Sequence, residues 1–148
     1  MAAGPGWRGA RVITASGDQP CPCGGQPSGA SLSSCCGPFL AGETWPPTPV
    51  TVMRSRYTAY AVGDGDHLFR TWHPATRPTD VSPDGSFAWV GLEILGSSGD
   101  DVEGVVEFAA HWRSGEGRSR QSGALRERST FVRRAGRWFY RDGVEPSE

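Results

Sequence analysis

Apolar residues recur at helical spacing in one stretch of this chain and at alternate positions in another, and the two stretches do not overlap. Between Val50 and about Val62, the residues Met53, Tyr57, Tyr60 and Ala61 share one face. Thr48 stands where an N-cap belongs, Pro49 suits the first helical position, and Gly63 ends the run. A shorter helix is expected to start at Asp64 or Asp66, with Leu68, Phe69 and Trp72 on its apolar side. His73-Pro74 stops it, because a residue before proline is pushed out of the helical region.

After turns through Pro78, Pro83 and Asp84-Gly85, four strand-like runs follow: Phe87–Leu95, Val102–Arg113, about Ser122–Arg134, and Arg137–Asp142. The second places Val102, Gly104, Val106, Phe108, Ala110 and Trp112 on one face and Glu103, Val105, Glu107, Ala109 and His111 on the other. The third alternates Leu125, Glu127, Ser129 and Phe131 against Arg126, Arg128, Thr130 and Val132. Short connections at Gly96–Asp101, Ser114–Gln121 and Ala135-Gly136 suit antiparallel hairpins. Helices followed by a four-stranded meander predict an α+β fold, with the two helices packed on one face of a curved sheet to form a cone with a pocket.

The segment before these elements is polar and rich in Gly, Ser and Pro, and it holds every cysteine: Cys21, Cys23, Cys35 and Cys36. Four thiolates fill a tetrahedral zinc site completely, which is the closed arrangement of a structural ion, and binding would supply folding energy that this segment lacks. Iron is the rival metal. A redox dithiol is a further reading, although Cys21-Pro22-Cys23 is not the C-x-x-C of thioredoxin-like proteins. Neighbouring Cα atoms lie about 3.8 Å apart, too close for an unstrained Cys35–Cys36 bridge, whereas nested Cys21–Cys36 and Cys23–Cys35 bridges are geometrically open.

Length and charge narrow the picture further. At 148 residues the chain suits one domain with appendages. The expected division is a disordered leader over 1–20, a zinc knuckle over 21–38, a linker over 39–48, the α+β domain over 49–143 and a tail over 144–148. The leader has Arg8 and Arg11 but no apolar core, so it does not read as a secretory signal. No apolar run approaches the roughly 20 residues of a membrane helix. A cytoplasmic location is therefore expected, where thiols stay reduced. The net charge of −1 hides 6 Arg against 11 acids before Arg113 and 9 Arg against 5 acids from there on. Arg126, Arg128 and their neighbours could serve RNA. A solvated hairpin is the better account of them in a chain that uses arginine throughout and has no lysine, so nucleic acid is not the expected partner.

Candidate polar groups for the cone pocket are Arg54, Arg56, Tyr57, Trp72, His73, Glu93, Glu107 and Glu127. An arginine facing a glutamate from the sheet could hold a small polar ligand or form a structural ion pair. A buried glutamate or His73 could also act as a general base. No nucleophile elbow, phosphate-cradling glycine loop or open metal site is present in the sequence.

Cys-Pro-Cys-Gly from Cys21, Cys-Cys-Gly-Pro-Phe from Cys35, Met53-Arg-Ser-Arg-Tyr-x-Ala-Tyr60, Thr71-Trp-His-Pro74, Trp89-x-Gly-Leu92, Glu127-Arg-Ser-x-Phe131 and Trp138-x-Tyr-x-Asp-Gly143 together resemble the bacterial YchJ family. The resemblance implies an SEC-C motif with zinc on Cys21, Cys23, Cys35 and Cys36, joined to a nuclear-transport-factor-2-like (SnoaL-like) cone. It implies no reaction, the family being of uncharacterised biochemical role. The spacer between the cysteine pairs is longer than the family's compact one and lacks an aromatic residue before the second pair. No second cysteine cluster follows near the C-terminus. By analogy with the zinc-binding tail of the translocase SecA, the knuckle is expected to dock on a protein partner. The cone would serve as a scaffold or small-ligand cup, and its exposed sheet face could pair in a homodimer.

Overall fold

A computed structural model of the chain describes residues 17–83 and 87–146. A 3₁₀ turn at Leu32–Ser34 and a single helical turn, α1 (Gly37–Leu40), follow the cysteine turns. Next come α2 (Pro49–Val62) and α3 (Gly65–Thr71). The strands are β1 (Ala88–Gly99), β2 (Glu103–Ser114), β3 (Gln121–Arg134) and β4 (Arg137–Val144), paired antiparallel in chain order. This is the α+β architecture that the apolar pattern predicts. No described helix is long and apolar enough to cross a membrane.

The ends of α2 follow from its sequence. Thr48 Oγ1 accepts the Thr51 amide at 3.1 Å, and Gly63 closes the helix at φ 81°, a left-handed conformation open to glycine. Its burial departs from a one-sided amphipathic helix. Val52, Met53, Ser55, Arg56, Tyr57, Thr58, Ala59 and Ala61 are all buried. A helix hidden on so many sides is central rather than superficial. The sheet covers it on one side, α3 on another and the cysteine knuckle on a third.

In α3, Asp64 accepts the His67 amide at 3.0 Å and so caps the start. The buried residues are His67, Leu68 and Thr71, not the expected Leu68, Phe69 and Trp72. Phe69 is exposed beneath the Arg77 guanidinium, which stacks 3.8 Å from its ring centroid. Trp72 is extended beyond the helix and makes a parallel bridge to Tyr140. With His73 N donating to Tyr140 O at 2.7 Å, the segment after α3 seals the outer edge of β4.

Gly104, Val106, Phe108 and Ala110 of β2 face inward as the alternation requires, and Phe131 of β3 is fully buried beside them. Strand β1 continues past the expected stop at Leu95, because residues from Gly96 to Gly99 still pair with β2, and its register shifts between Trp89 and Gly91 and between Ile94 and Gly96. Its hairpin closes instead at Asp100, whose carboxylate accepts the Val102 and Glu103 amides. The core joins Cys21, Cys23 and Cys36 to Val52, Met53, Tyr57, Val106, Phe108 and Phe131. Knuckle and cone therefore share one interior. Burying each large apolar side chain contributes roughly 1.5–3 kcal/mol, so this shared packing binds the two parts strongly.

Two expected boundaries shift. Most of the leader, 1–16, lies outside the described residues, as does the Asp84-Gly85 turn. Gly17 to Pro20, expected in the leader, belong to the knuckle: Gly17 O and Gln19 O accept the Ser33 and Leu32 amides, and Pro20 bridges Ser31. At the other end Val144 completes β4 rather than starting a tail.

Candidate functional site

The four sulfurs lie within 4.8 Å of one another. Sγ–Sγ distances are 3.6 Å for Cys23–Cys35, 3.8 Å for Cys23–Cys36 and 4.0 Å for Cys35–Cys36. A tetrahedron with metal–sulfur distances of about 2.3 Å has edges of about 3.8 Å, so the spacing fits one ion. All four cysteines are free, and none of these distances is that of a disulfide. The nested bridges that the sequence leaves open are not formed. Cys21, Cys23 and Cys36 are buried and Cys35 is half-buried.

Local turns set this arrangement. Cys21 N donates to Ala30 O and Gly24 N to Cys21 O, folding the spacer back over the first pair. Gly25 holds φ 88° and donates its amide to Cys23 Sγ at 3.4 Å; a Cβ there would strike the backbone of Pro27 and Ala30. The long spacer thus packs on itself through backbone bonds and needs no aromatic residue.

Helix α2 completes the surroundings. Arg54 Nη1 donates to Cys23 O at 2.8 Å and lies 3.7 Å from Cys23 Sγ. Thr58 Oγ1 donates to Cys36 Sγ at 3.3 Å and sits 3.6 Å from Cys21 Sγ. The sulfurs shift one another's acidity. Donation from the Cys23 and Cys36 thiols pulls the Cys21 pKa down, whereas those same contacts push Cys36 up. Burial and the neighbouring sulfurs push Cys35 up to about 12. A bound cation would favour ionisation of the sulfurs that ligate it.

A second site lies between α2 and the sheet. Its cavity of about 220 Å³ is walled by Met53, Tyr57, Trp89, Phe108, Ala110 and Leu125, with Arg56, Tyr60, Glu127 and Tyr140 as polar lining. Arg56 is 2% exposed. Its Nη1 donates to Leu68 O at 3.0 Å and Thr71 Oγ1 at 2.9 Å, and its guanidinium carbon lies 4.7 Å and 4.2 Å from the Trp72 and Tyr140 ring centroids. Burial lowers its pKa, while Tyr60, Tyr140 and Glu127 oppose that shift. Glu127 Oε1 accepts from Ser129 Oγ at 2.8 Å and Tyr140 OH at 3.4 Å. Its side chain occupies the space that a Cβ on Gly143 would fill.

Comparison with known proteins decides the family. The family model described as "YchJ, middle NTF2-like domain" matches residues 48–143. The UPF0225 protein of Deinococcus radiodurans is 45% identical over 127 residues, covering 86% of this chain and 90% of its own.

The chain belongs to the YchJ family.

A UPF0225 protein of Streptomyces coelicolor is 43% identical, with 84% of this chain and 94% of that one covered. The solution structure of an SEC-C motif containing protein from Rhodopseudomonas palustris is 34% identical and superposes with a TM-score of 0.74, covering 87% of this chain and all of that one (100%). A crystal structure of an SEC-C motif containing protein from Psychrobacter arcticus, 22% identical with a TM-score of 0.73, covers 89% of this chain and 85% of its own and shares the fold.

Within this YchJ-family fold, the pocket residues expected from sequence divide into groups. Arg56, Tyr57 and Glu127 line the cavity. Burial pushes the Tyr57 phenol up to about 12. Arg54 does not line it: two residues from Arg56 it points about 200° away around the helix, onto the knuckle. Trp72 stacks under Arg56 with its indole Nε1 buried and unpartnered among the described residues. His73 caps its own turn, its Nδ1 accepting the Ala75 amide. Glu93 and Glu107 are on the outer face of the sheet, paired with His111 at 3.3 Å and Arg126 at 3.0 Å, because odd positions of β2 and their partners point away from α2. Arg133 and Arg137 lie over Trp138 and Trp45.

Sequence reasoning about the site passed over Tyr140, Thr58 and the buried Ser55–His67 pair. The pair's Oγ–Nε2 distance is 2.8 Å, and Ser55 also donates to Val52 O, which casts His67 Nε2–H as a donor. Burial and the Arg70 and Arg56 charges hold His67 down at about 3. It is a neutral packing histidine, with its serine proton committed to the backbone.

Proposed function

We propose that this protein binds zinc as a structural staple and that its working site is the cone cavity, which receives a small molecule. The observation that carries this reading is the placement of Arg56: a buried cation lining an otherwise aromatic and apolar cup, with no ion pair to any described carboxylate. Burying a guanidinium is costly, and Glu127 answers it only from beyond ion-pair distance, so a bound anionic group would stabilise it further.

For the knuckle, an all-sulfur donor set at tetrahedral spacing suits zinc and leaves no coordination position for substrate. Cys21, Cys23, Cys35 and Cys36 would hold the ion, and the bound ion would supply folding energy and keep the thiols ionised. Three of the four ligands face the interior shared with α2, which favours an internal role. The partner-docking reading retains only the exposed Gly- and Ser-rich turn between the cysteine pairs, a surface with little apolar area to bury.

Metal analysis of the purified chain should give one zinc per molecule, with four thiols protected until a chelator is added. Iron, or free thiols without metal, would overturn the staple. For the cavity, the test is ligand-observed NMR with a library of metabolite-sized compounds. Leu125 is 41% exposed at the cavity rim, so Leu125→Trp should block entry while the fold stays intact. Compounds that bind the wild type and lose binding in Leu125→Trp support the reading. No bound compound, or binding that persists in the variant, would sink it.

A further inference from the structure

The cavity displays one charge of each sign, held apart. Arg56 is fixed by Leu68 O, Thr71 Oγ1 and the flanking rings of Trp72 and Tyr140. Glu127 is fixed by Ser129 and Tyr140, with room left for it by Gly143. The two do not meet: the basic–acidic side-chain contacts within 4.0 Å among the described residues are His111–Glu93 and Arg126–Glu107, both on the outer face of the sheet.

Such a pair selects among ligands by charge. A neutral molecule leaves the buried Arg56 guanidinium and the half-buried Glu127 carboxylate without an opposite charge in contact. A simple anion answers Arg56 and is repelled by Glu127, and a simple cation does the reverse. A molecule bearing both signs at one end satisfies both, and the remaining walls, Met53, Trp89, Phe108 and Leu125, suit an apolar tail. At about 220 Å³ the space lies below the roughly 300–1,000 Å³ of drug-sized pockets. That is metabolite scale.

We propose that the cone cavity is a binding site for a small zwitterion, an α-amino acid with an apolar side chain, whose carboxylate meets Arg56 and whose ammonium meets Glu127. This rests on the small-molecule reading of the cavity and adds the ligand class. Arg56 would form a charge-assisted pair at one end, strengthened by the low dielectric around it. Tyr60, which also lines the cavity and bonds Arg56, would help orient the carboxylate.

Calorimetric titration of the zinc-loaded full chain tests it with leucine, methionine and phenylalanine. 4-Methylpentanoate and isopentylamine are the matched probes lacking one charge each. At least one of the amino acids should bind saturably, and the two single-charge probes at least about tenfold more weakly than leucine. Glu127→Gln should lower leucine affinity about tenfold and leave 4-methylpentanoate binding equal or tighter. Thermal melting of Glu127→Gln alone reports whether that variant is folded, and Tyr60→Phe offers a second, milder reduction in leucine affinity. If 4-methylpentanoate binds as tightly as leucine, the zwitterion is wrong and the cavity is an anion site, while the small-molecule reading stands. If no probe binds but other compounds enter a cavity that Leu125→Trp blocks, only the ligand class falls. If nothing enters the cavity at all, both readings fall.

Discussion

Arg54 is placed to tune the proposed metal site without touching the ion. A divalent ion with four thiolates carries two excess negative charges, and the Arg54 guanidinium stands against Cys23 through both its carbonyl and its sulfur. Arg54→Ala should therefore weaken zinc binding by about 10–100-fold, measured by competition with a chromophoric chelator at fixed pH. Arg54→Lys should recover part of the loss, since it restores charge without the fork. Equal affinity in all three proteins would reduce Arg54 to a packing residue. At this scale the clustering of the four sulfurs was legible, because four cysteines in one short polar segment are placed close together by the chain itself. The role of Arg54 was not, since Arg54 and Arg56 look alike in sequence and only the helical rotation between them sends one to the knuckle and the other to the cavity.

Between elements, the Ser55–His67 bond ties α3 to α2 and makes stability depend on acid. His67 keeps a folded pKa of about 3 against an ordinary 6.5, so the unfolded chain binds the extra proton first. Stability from this group is complete above pH 6.5 and is lost as pH falls through the window from about 6.5 to 3. Between pH 7.5 and 5.5 the loss should be on the order of 1 kcal/mol, read from urea midpoints with zinc present. His67→Gln, which can still bond Ser55, should flatten that slope while lowering the plateau. A wild-type slope that survives in His67→Gln would assign the acid sensitivity elsewhere. Helix α2 and the strands were readable from Thr48, Pro49, Gly63 and the alternation of β2, because caps and periodicity are local. The buried face of α3 was not. His67 and Thr71 are polar by composition, and they are hidden only because Ser55 and Arg56 of the neighbouring helix supply their partners.

Taken whole, the molecule has one interior rather than two, since Cys21, Cys23 and Cys36 pack in the same cluster as Phe108 and Phe131. Chelation should then reach beyond the knuckle. Removing zinc from the full chain should lower the melting temperature of the sheet by several degrees, a shift of a few kcal/mol for a domain of this size, followed by near-ultraviolet circular dichroism of its tryptophans. A sheet that melts unchanged after metal removal would mean that knuckle and cone are energetically separate. The sequence pointed to a zinc knuckle fixed through a linker to the front of the cone. Its fusion to the cone was hidden because contacts between residues as far apart as Cys21 and Thr58 leave no periodic trace.

The strap formed by Trp72, His73 and Thr76 has a consequence for assembly. It occupies the free side of β4 through Tyr140 and Arg141, whereas β1 has a strand neighbour on one side only among the described residues. A ribbon with one blocked border can accept a single guest along the other. Two copies joined border to border would have no vacant border left, so growth by strand addition terminates at a pair and cannot run on into a fibre.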